Sequence, residues 1–315
     1  MNVPLNVLII GAGNIGAFFD KPESRDVLTH AHAFKNHPGF KLLGFIDSNY
    51  TKALNAAKIW NVSAYKNLQD ANENTTIDIV VVCTPDGTHY DVILEAITFP
   101  IKLLFVEKPL SKKIDEAIEI KSKVRNISIV VNYSRRFSKD FDGLQKRIQN
   151  GEFGSYLTGN GYYGKGVLHN GTHMIDLLRM LVGEISDAVS MEKVYDFYKD
   201  DPTVTGLLVF ENNRKFYFHG VDCKNYTVFE LEMLFEKAKI RLLDSCFVLE
   251  EYSVKPNKKY EGYNNLELNR RLETDMGENL SNAVENIYRH LTIQEPLKCT
   301  LNDAFNDMCI ALKIS

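Results

Sequence analysis

The sequence predicts an α/β protein in which an N-terminal doubly wound parallel sheet precedes a second α/β domain built on a mostly antiparallel sheet. Three observations predict it. Up to about residue 132, short β-branched runs alternate with stretches whose apolar residues recur at helical spacing. The first of these runs leads straight into a glycine fingerprint. After Arg136 the alternation stops, and two helical stretches give way to a strand-rich tract from about 187 to 256. The reading therefore places one domain at 1–132 and a second at 133–315.

Composition agrees with two folded domains and excludes several classes. At 315 residues, with 44% hydrophobic and 25% charged residues, the chain is neither disordered nor collagenous. The net charge is 37 − 41 = −4, which offers nothing to a polyanion, so no nucleic-acid partner is expected. The five cysteines (83, 223, 246, 299 and 309) are odd in number, scattered and free of any C-x-x-C pair, a pattern of reduced thiols. No apolar run approaches the ~20 residues of a membrane span. The reading is a soluble cytoplasmic protein with no membrane partner.

The strands come in order as Leu5–Ile10, Lys41–Asp47, Ile77–Cys83, Lys102–Glu107 and Ser128–Asn132. Near-continuous apolar runs of this kind suit strands covered on both faces, with helices as crossovers. The crossovers read as Leu28–Asn36, Thr51–Trp60, Thr88–Ile97 and Lys113–Arg125. In the second half, Asp140–Asn150 and Gly171–Val182 read as helices closed by Gly151 and Gly183. Thr205–Phe210 and Lys215–Gly220 flank Asn212-Asn213-Arg214 as a hairpin. Tyr226–Phe235 and Lys239–Leu243 continue the sheet, leaving one face free. Residues 255–279 are polar, with lysines at their start, and read as a loop or lid. Helices near Asn282–Leu291 and Asn302–Leu312 end the chain.

Gly11-Ala12-Gly13-Asn14-Ile15-Gly16 lies between a strand and a helix start, the context in which G-x-G-x-x-G marks a dinucleotide-binding Rossmann domain. The first glycine permits the tight turn and the second admits a pyrophosphate. The third allows close helix–strand packing. Asp47 ends the second strand, where a carboxylate accepts hydrogen bonds from the adenosine ribose and repels a 2′-phosphate. This favours NAD over NADP as the cofactor. Asp47 lies 31 residues beyond Gly16, against the usual ~20. The excess falls in an insertion at 18–28, at the mouth of the site.

Four further motifs follow in order: Thr84-Pro85 with His89, Glu107-Lys108-Pro109, Asn132-Tyr133-Ser134-Arg135-Arg136-Phe137, and Gly171-Thr172-His173-Met174-Ile175-Asp176. With the glycine loop, this series resembles the glucose–fructose oxidoreductase / inositol dehydrogenase (Gfo/Idh/MocA) family along nearly the whole chain. The resemblance implies a Rossmann domain followed by a domain with a large open sheet used for oligomerisation, hence a homodimer or homotetramer. It implies hydride transfer between a nicotinamide and a hydroxyl or keto group of a sugar, cyclitol or nucleotide sugar. It adds Thr84, Pro85, His89, Glu107 and Lys108 to the cofactor site and makes Lys108 and His173 the catalytic pair. Thr29–Phe34 and His169-Asn170-Gly171-Thr172-His173 look like a subgroup associated with bacterial surface-polysaccharide synthesis. The alternative is a regulator on the same fold that binds NAD(P) without turnover.

Those assignments suit the chemistry. Oxidising a secondary alcohol requires a group that takes the hydroxyl proton as hydride leaves, and histidine titrates near ~6.5. A lysine ammonium stabilises the developing alkoxide. Glu107 points to the opposite side of an extended strand from Lys108. Many family members carry an aspartate where this chain has His169, which is then expected to bond a substrate hydroxyl or phosphate. A metal at His169 and His173 has no third ligand motif, and none is expected. Asp176 either orients His173 or pairs with Arg179. Arg136 either holds an anionic substrate group or forms an interdomain ion pair. Tyr133 and Tyr163 complete the expected substrate site.

Overall fold

The computed structural model describes residues 3–315, which form two compact units. The first contains the residues through Phe137 together with Gly277–Phe305, and the second contains Ser138–Met276 and Asn306–Ser315. The pattern along the chain assigns 277–305 to the second domain. In the structure this segment packs on the first unit, because Tyr288 lies against His37 and Phe40 and fills the space above Gly39. A segment returning from far along the chain leaves no mark on local periodicity. Among the described residues no helix is long and apolar enough to cross a membrane.

The first unit is a six-stranded parallel sheet. Its strands are β1 (Leu5–Ile10), β2 (Phe40–Ile46), β3 (Ser63–Tyr65), β4 (Ile79–Val82), β5 (Leu103–Val106) and β6 (Ser128–Val131). Their order is β3-β2-β1-β4-β5-β6, so the chain reverses direction across the sheet between β1 and β4. In such sheets the crevice for ligands opens beyond the strand C-termini at that reversal. β4 and β5 are buried along their whole length, as the apolar runs require. The crossovers are α1 (His30–Asn36), α2 (Tyr50–Trp60), α3 (Leu68–Asn74), α4 (His89–Ala96) and α5 (Ile114–Lys123). β3 and α3 were not among the expected elements. A three-residue strand is too short to show a period, and only Leu68 and Ala71 of α3 are buried.

The second unit is an eight-stranded sheet backed by α6 (Lys139–Gln149) and α7 (Thr172–Leu181). The strands are β7 (Tyr156–Tyr163), β8 (Ile185–Val194), β9 (Thr203–Phe210), β10 (Lys215–Gly220), β11 (Phe229–Phe235), β12 (Ala238–Leu243), β13 (Val248–Pro256) and β14 (Asn264–Glu273). The order is β14-β13-β12-β11-β7-β10-β9-β8, and every pairing is antiparallel except β7 with β10. Buried and less buried residues alternate along β10, β11, β12 and most of β9. Phe216, Phe218, Leu208, Leu231, Met233, Ile240 and Leu242 are buried, while Tyr217, Leu207, Glu232 and Arg241 between them are not. The hairpin from β9 to β10 forms as expected. Residues 264–273 form β14 and not part of a lid, for a reason burial patterning cannot reveal: nine of its residues pair with β13, yet nearly all its side chains are exposed. An edge strand is made by backbone pairing, not by a buried face.

Two further helices close the chain: α8 (Asn279–Ile293), and α9 (Leu301–Ile314), which begins in the first unit and ends in the second.

Candidate functional site

The glycine loop is built as the fingerprint requires. Gly11 has φ +102°, and a Cβ there would lie 2.5 Å from the carbonyl carbon and oxygen of Cys83 at the end of β4. A Cβ on Gly16 would lie 2.3 Å from Gly11 O, so this glycine lets the following turn pack on the strand exit. Gly13 differs, because a Cβ there would meet nothing within 4 Å. The loop is closed at two positions by protein and open at one toward a cavity.

Asn14, Ile15 and Gly16 open a single π-helical turn, Asn14–Phe18, where a longer helix is usual. Trp60 caps this turn by donating its indole N–H to Ala17 O at 2.9 Å. The insertion follows, and buried Asp20 fastens its end. Its carboxylate accepts the N–H groups of Leu28 and Thr29 and the Thr29 hydroxyl, and pairs with His32 Nδ1 at 2.8 Å. The extra residues between Gly16 and Asp47 thus form a pinned loop that delivers α1.

A cavity of about 640 Å³ lies beyond the strand ends, lined by Gly11 and Gly13, by Asp47 and Ser48 after β2, and by Lys52, Lys66 and Asn67. Thr84, Pro85 and Thr88 line it on the β4 side. The volume suits a cofactor-sized ligand. The Asp47 carboxylate accepts from Ala12 N–H and Asn49 N–H, both at 2.8 Å, which fixes its orientation at the end of β2. Thr84 Oγ1 is buried with no hydrogen-bond partner among the described residues. An open Gly13, an oriented carboxylate and an orphaned hydroxyl on one cavity fit a dinucleotide.

Glu107 and Lys108 follow β5. The Glu107 side chain, only 14% exposed, accepts from Asn132 Nδ2 at 2.7 Å and is bonded to His30 Nε2 at 2.8 Å. Burial alone would raise this carboxyl. The bonds from His30 and Asn132, with the nearby Lys108 charge, outweigh burial and hold it below the usual carboxylate range. Burial, reinforced by the Glu107 charge, pushes the Cys83 thiol well up and keeps it protonated. His30 supplies the partner that no motif announced, and the Thr29–Phe34 stretch was the only sign of it.

Several expected site residues have other work. His89 is buried, with its two ring nitrogens 2.8 Å from Pro109 O and 2.9 Å from Thr84 O. It ties the loop after β4 to the loop after β5 and does not line the cavity. Tyr133 is 1% exposed and belongs to the core. Arg136 pairs with Asp303 at 3.1 Å and donates to Lys298 O, both within the first unit. Tyr163 is wholly buried, its hydroxyl donating to Val204 O and accepting from Val204 N–H. The neighbouring Tyr162 is the exposed one, stacked on His219. A residue's place at a strand end identifies the neighbourhood, but strand parity and partners arriving from distant segments decide which way it points.

In the second unit, His169 and His173 lie on consecutive pieces of helix. Val167–Gly171 forms a π-helical turn, and α7 begins at Thr172. The Asn170-Gly171 pair therefore does not break the helical path but widens it. His169 Nδ1 is 2.6 Å from Asp201 Oδ2, and its ring stacks on Tyr198 at 3.7 Å between centroids. Asp176 is a buried carboxylate one turn after His173 on α7. It adjoins Asp307 on α9, where burial, then the Asp176 carboxylate, raise the Asp307 carboxyl well above its usual range against the pull of Arg179. Arg179 donates to Asp307 at 2.7 Å and to Glu184.

Comparison with known proteins agrees with this geometry. Residues 5–133 match the model of the oxidoreductase family with an NAD-binding Rossmann fold. The chain is 28% identical over 161 residues to scyllo-inositol 2-dehydrogenase (NAD(+)) of Bacillus subtilis, covering 49% of this chain and 43% of that protein. It is 32% identical over 94 residues to myo-inositol 2-dehydrogenase of Thermotoga maritima, covering 29% of this chain and 28% of that protein. The chain thus spans less than half the length of these curated relatives. Among solved structures, UDP-N-acetylglucosamine 3-dehydrogenase from Acidithiobacillus ferrooxidans superposes with a TM-score of 0.76 at 17% identity, over 99% of this chain and 97% of that one. Levoglucosan dehydrogenase, in complex with NADH and levoglucosan, gives a TM-score of 0.76 at 17% identity, over 99% and 96%. Those two likenesses show the shared fold across both units, and the family match covers the Rossmann unit, residues 5–133.

Proposed function

We propose that this chain is an NAD-dependent oxidoreductase that transfers a hydride between nicotinamide and a hydroxyl or keto group of a sugar, cyclitol or nucleotide sugar. The observation that carries the reading is the cavity of the first unit, where Gly13 is open to ligand, Asp47 is oriented and the Thr84 hydroxyl is unsatisfied. Gly11, Gly13, Asn14, Ile15 and Gly16 would hold the pyrophosphate, and Asp47 the adenosine ribose. Bound NAD supplies the hydride acceptor or donor.

Lys108 and His173 serve the reacting oxygen. The Lys108 ammonium stabilises negative charge on that oxygen while buried Glu107, fastened by His30 and Asn132, keeps the strand end in place. An imidazole of the 169–173 segment exchanges the hydroxyl proton, a part the family resemblance gives to His173. The substrates of similar proteins, inositols, levoglucosan and UDP-N-acetylglucosamine, favour a polyhydroxylated substrate and suit a place in surface-polysaccharide synthesis. The outer face of the second unit's sheet, with Tyr217, Tyr162 and Leu157 exposed on it, suits self-association into a dimer or tetramer.

The test is nicotinamide absorbance during a screen of NAD(H) and NADP(H) against free sugars, inositols and nucleotide sugars. Turnover that falls by about 10²–10⁴ in Lys108→Ala, with NAD affinity by calorimetry unchanged, supports the reading. NAD binding without turnover on any substrate would support a regulator instead.

A further inference from the structure

We infer that Glu95, on α4, reads the adenine base of the dinucleotide, its carboxylate accepting a hydrogen bond from the exocyclic amino group. The inference rests on the dinucleotide reading above and concerns the first unit alone.

The cavity of that unit is the adenosine end of the site. Its lining comes from the exits of β1, β2 and β4, from Lys52 on α2, from the start of α3 and from one face of α4, and it includes no residue beyond Glu95. Lys108 and the rest of the chain after β5 therefore lie outside it. With the pyrophosphate at the open Gly13 and the ribose at Asp47, the base is the part of the ligand left to the remaining walls. Those walls suit a flat aromatic ring. Ile46 and Leu68, both buried, are apolar on the β2 and α3 side, and Pro85 and Val92 are apolar on the β4 and α4 side.

Helical spacing brings Glu95 to this place. Thr88, Val92 and Glu95 stand at i, i+4 and i+7, so they share one face of α4, and all three line the cavity. The other face is fixed, because His89, Ile93 and Ala96 are buried beneath it. The start of the helix is fastened as well, with the Thr88 hydroxyl donating to Pro85 O at 2.7 Å. Asp47 and Glu95 are the two acidic residues on the lining. Asp47 already accepts two backbone N–H groups, whereas the Glu95 side chain is exposed and has no hydrogen bond or ion pair among the described residues. The lining thus offers one carboxylate oriented for the ribose and a second one free for the base.

The chemistry of the pair gives the specificity its direction. An ionised carboxylate only accepts hydrogen bonds, and adenine carries an amino donor at C6. Hypoxanthine carries an oxygen in that position, which sets one acceptor against another and leaves both unpaired. Lys52 and Lys66, the other charged groups on the lining, only donate and would favour the oxygen. Two dinucleotides that differ at C6 alone therefore report which charge meets the edge of the base.

The test is titration calorimetry of the full chain with NAD and with nicotinamide hypoxanthine dinucleotide. The wild type is expected to bind NAD about 10-fold or more the tighter, the worth of one hydrogen bond to a charged group. Glu95→Ala should weaken NAD by about 10-fold and the hypoxanthine analogue by less than about threefold, so that the preference disappears. Glu95→Gln, whose amide both donates and accepts, should narrow the preference in the same way. Asp47→Ala should weaken the two ligands alike, because they share the ribose. Glu95 is exposed and touches no other side chain by a polar bond, so its variants should melt with the wild type. A wild type that binds the two dinucleotides equally overturns the inference, and so does a Glu95→Ala protein that loses both equally. A wild-type preference for the hypoxanthine analogue also overturns it and gives the base edge to the lysines. Each of these outcomes leaves the dinucleotide reading intact. A wild type that binds neither ligand overturns both.

Discussion

Gly13→Ala separates binding from folding more sharply than any other change in the glycine loop. Gly13 has φ −94° and ψ −168°, a conformation alanine adopts freely, and its Cβ would meet nothing within 4 Å. Removing a glycine from a compatible position stabilises by about 0.4–1 kcal/mol through the unfolded chain. At about 2–4 °C per kcal/mol for a unit of this size, Tm should rise by roughly 1–4 °C or stay level. The added methyl projects into the cavity where the pyrophosphate must approach the backbone. Losing one charge-assisted hydrogen bond there costs about 1.5–3 kcal/mol, so NAD should bind roughly 10- to 100-fold more weakly. Gly16→Ala gives the opposite pair of results. Its Cβ would sit 2.3 Å from Gly11 O, against an ordinary contact of 3.4 Å or more. Overpacking of this kind costs about 1–3 kcal/mol, and Tm should fall. Differential scanning calorimetry and titration calorimetry with NAD measure both quantities on both variants. A Gly13→Ala protein that binds NAD as the wild type does, or melts many degrees lower, refutes the assignment of the open glycine to the pyrophosphate.

Two further outcomes are expected. Glu107 is held below its ordinary value of 4.5, so its contribution to stability is present above that pH and is lost as pH falls through the lower folded-state value. Glu107→Gln should therefore melt below the wild type at pH 7, and the gap should narrow as pH falls below 4.5 and through the lower folded-state value. A gap that persists unchanged in acid would show that the carboxylate charge is not what His30 and Asn132 stabilise. Tyr163→Phe strips both hydrogen bonds from Val204 in a dry core and should cost about 1–3 kcal/mol, seen as a drop of several degrees in Tm. If NAD binding by this variant falls while Tm holds, Tyr163 belongs to a ligand site after all.

Much of the fold was legible in the chain because its signals are local. A β-branched run buried on both faces, as in Ile79–Val82 and Leu103–Val106, is written in consecutive residues. The glycine fingerprint is likewise local, since Gly11 and Gly16 answer constraints within the turn or on the adjoining strand end and Gly13 lies within the same six residues. β14 was not legible, because pairing with β13 needs backbone and not apolar side chains, and neither was the return of α8 to the first unit.

The candidate site divides along the same line. By itself the sequence determined the dinucleotide-binding unit and its crevice, and it singled out Asp47, Glu107, Lys108, His169 and His173 as candidates, because spacing and residue type carry that information. Only the tertiary structure decided what each side chain meets. It turned Tyr163 into the core, gave Arg136 to Asp303, placed His30 on Glu107 and set Asp201 behind His169. The partners in these contacts lie between 32 and 167 residues apart along the chain. Such pairs form only once packing has fixed which face of each element is dry, and no local pattern records that choice.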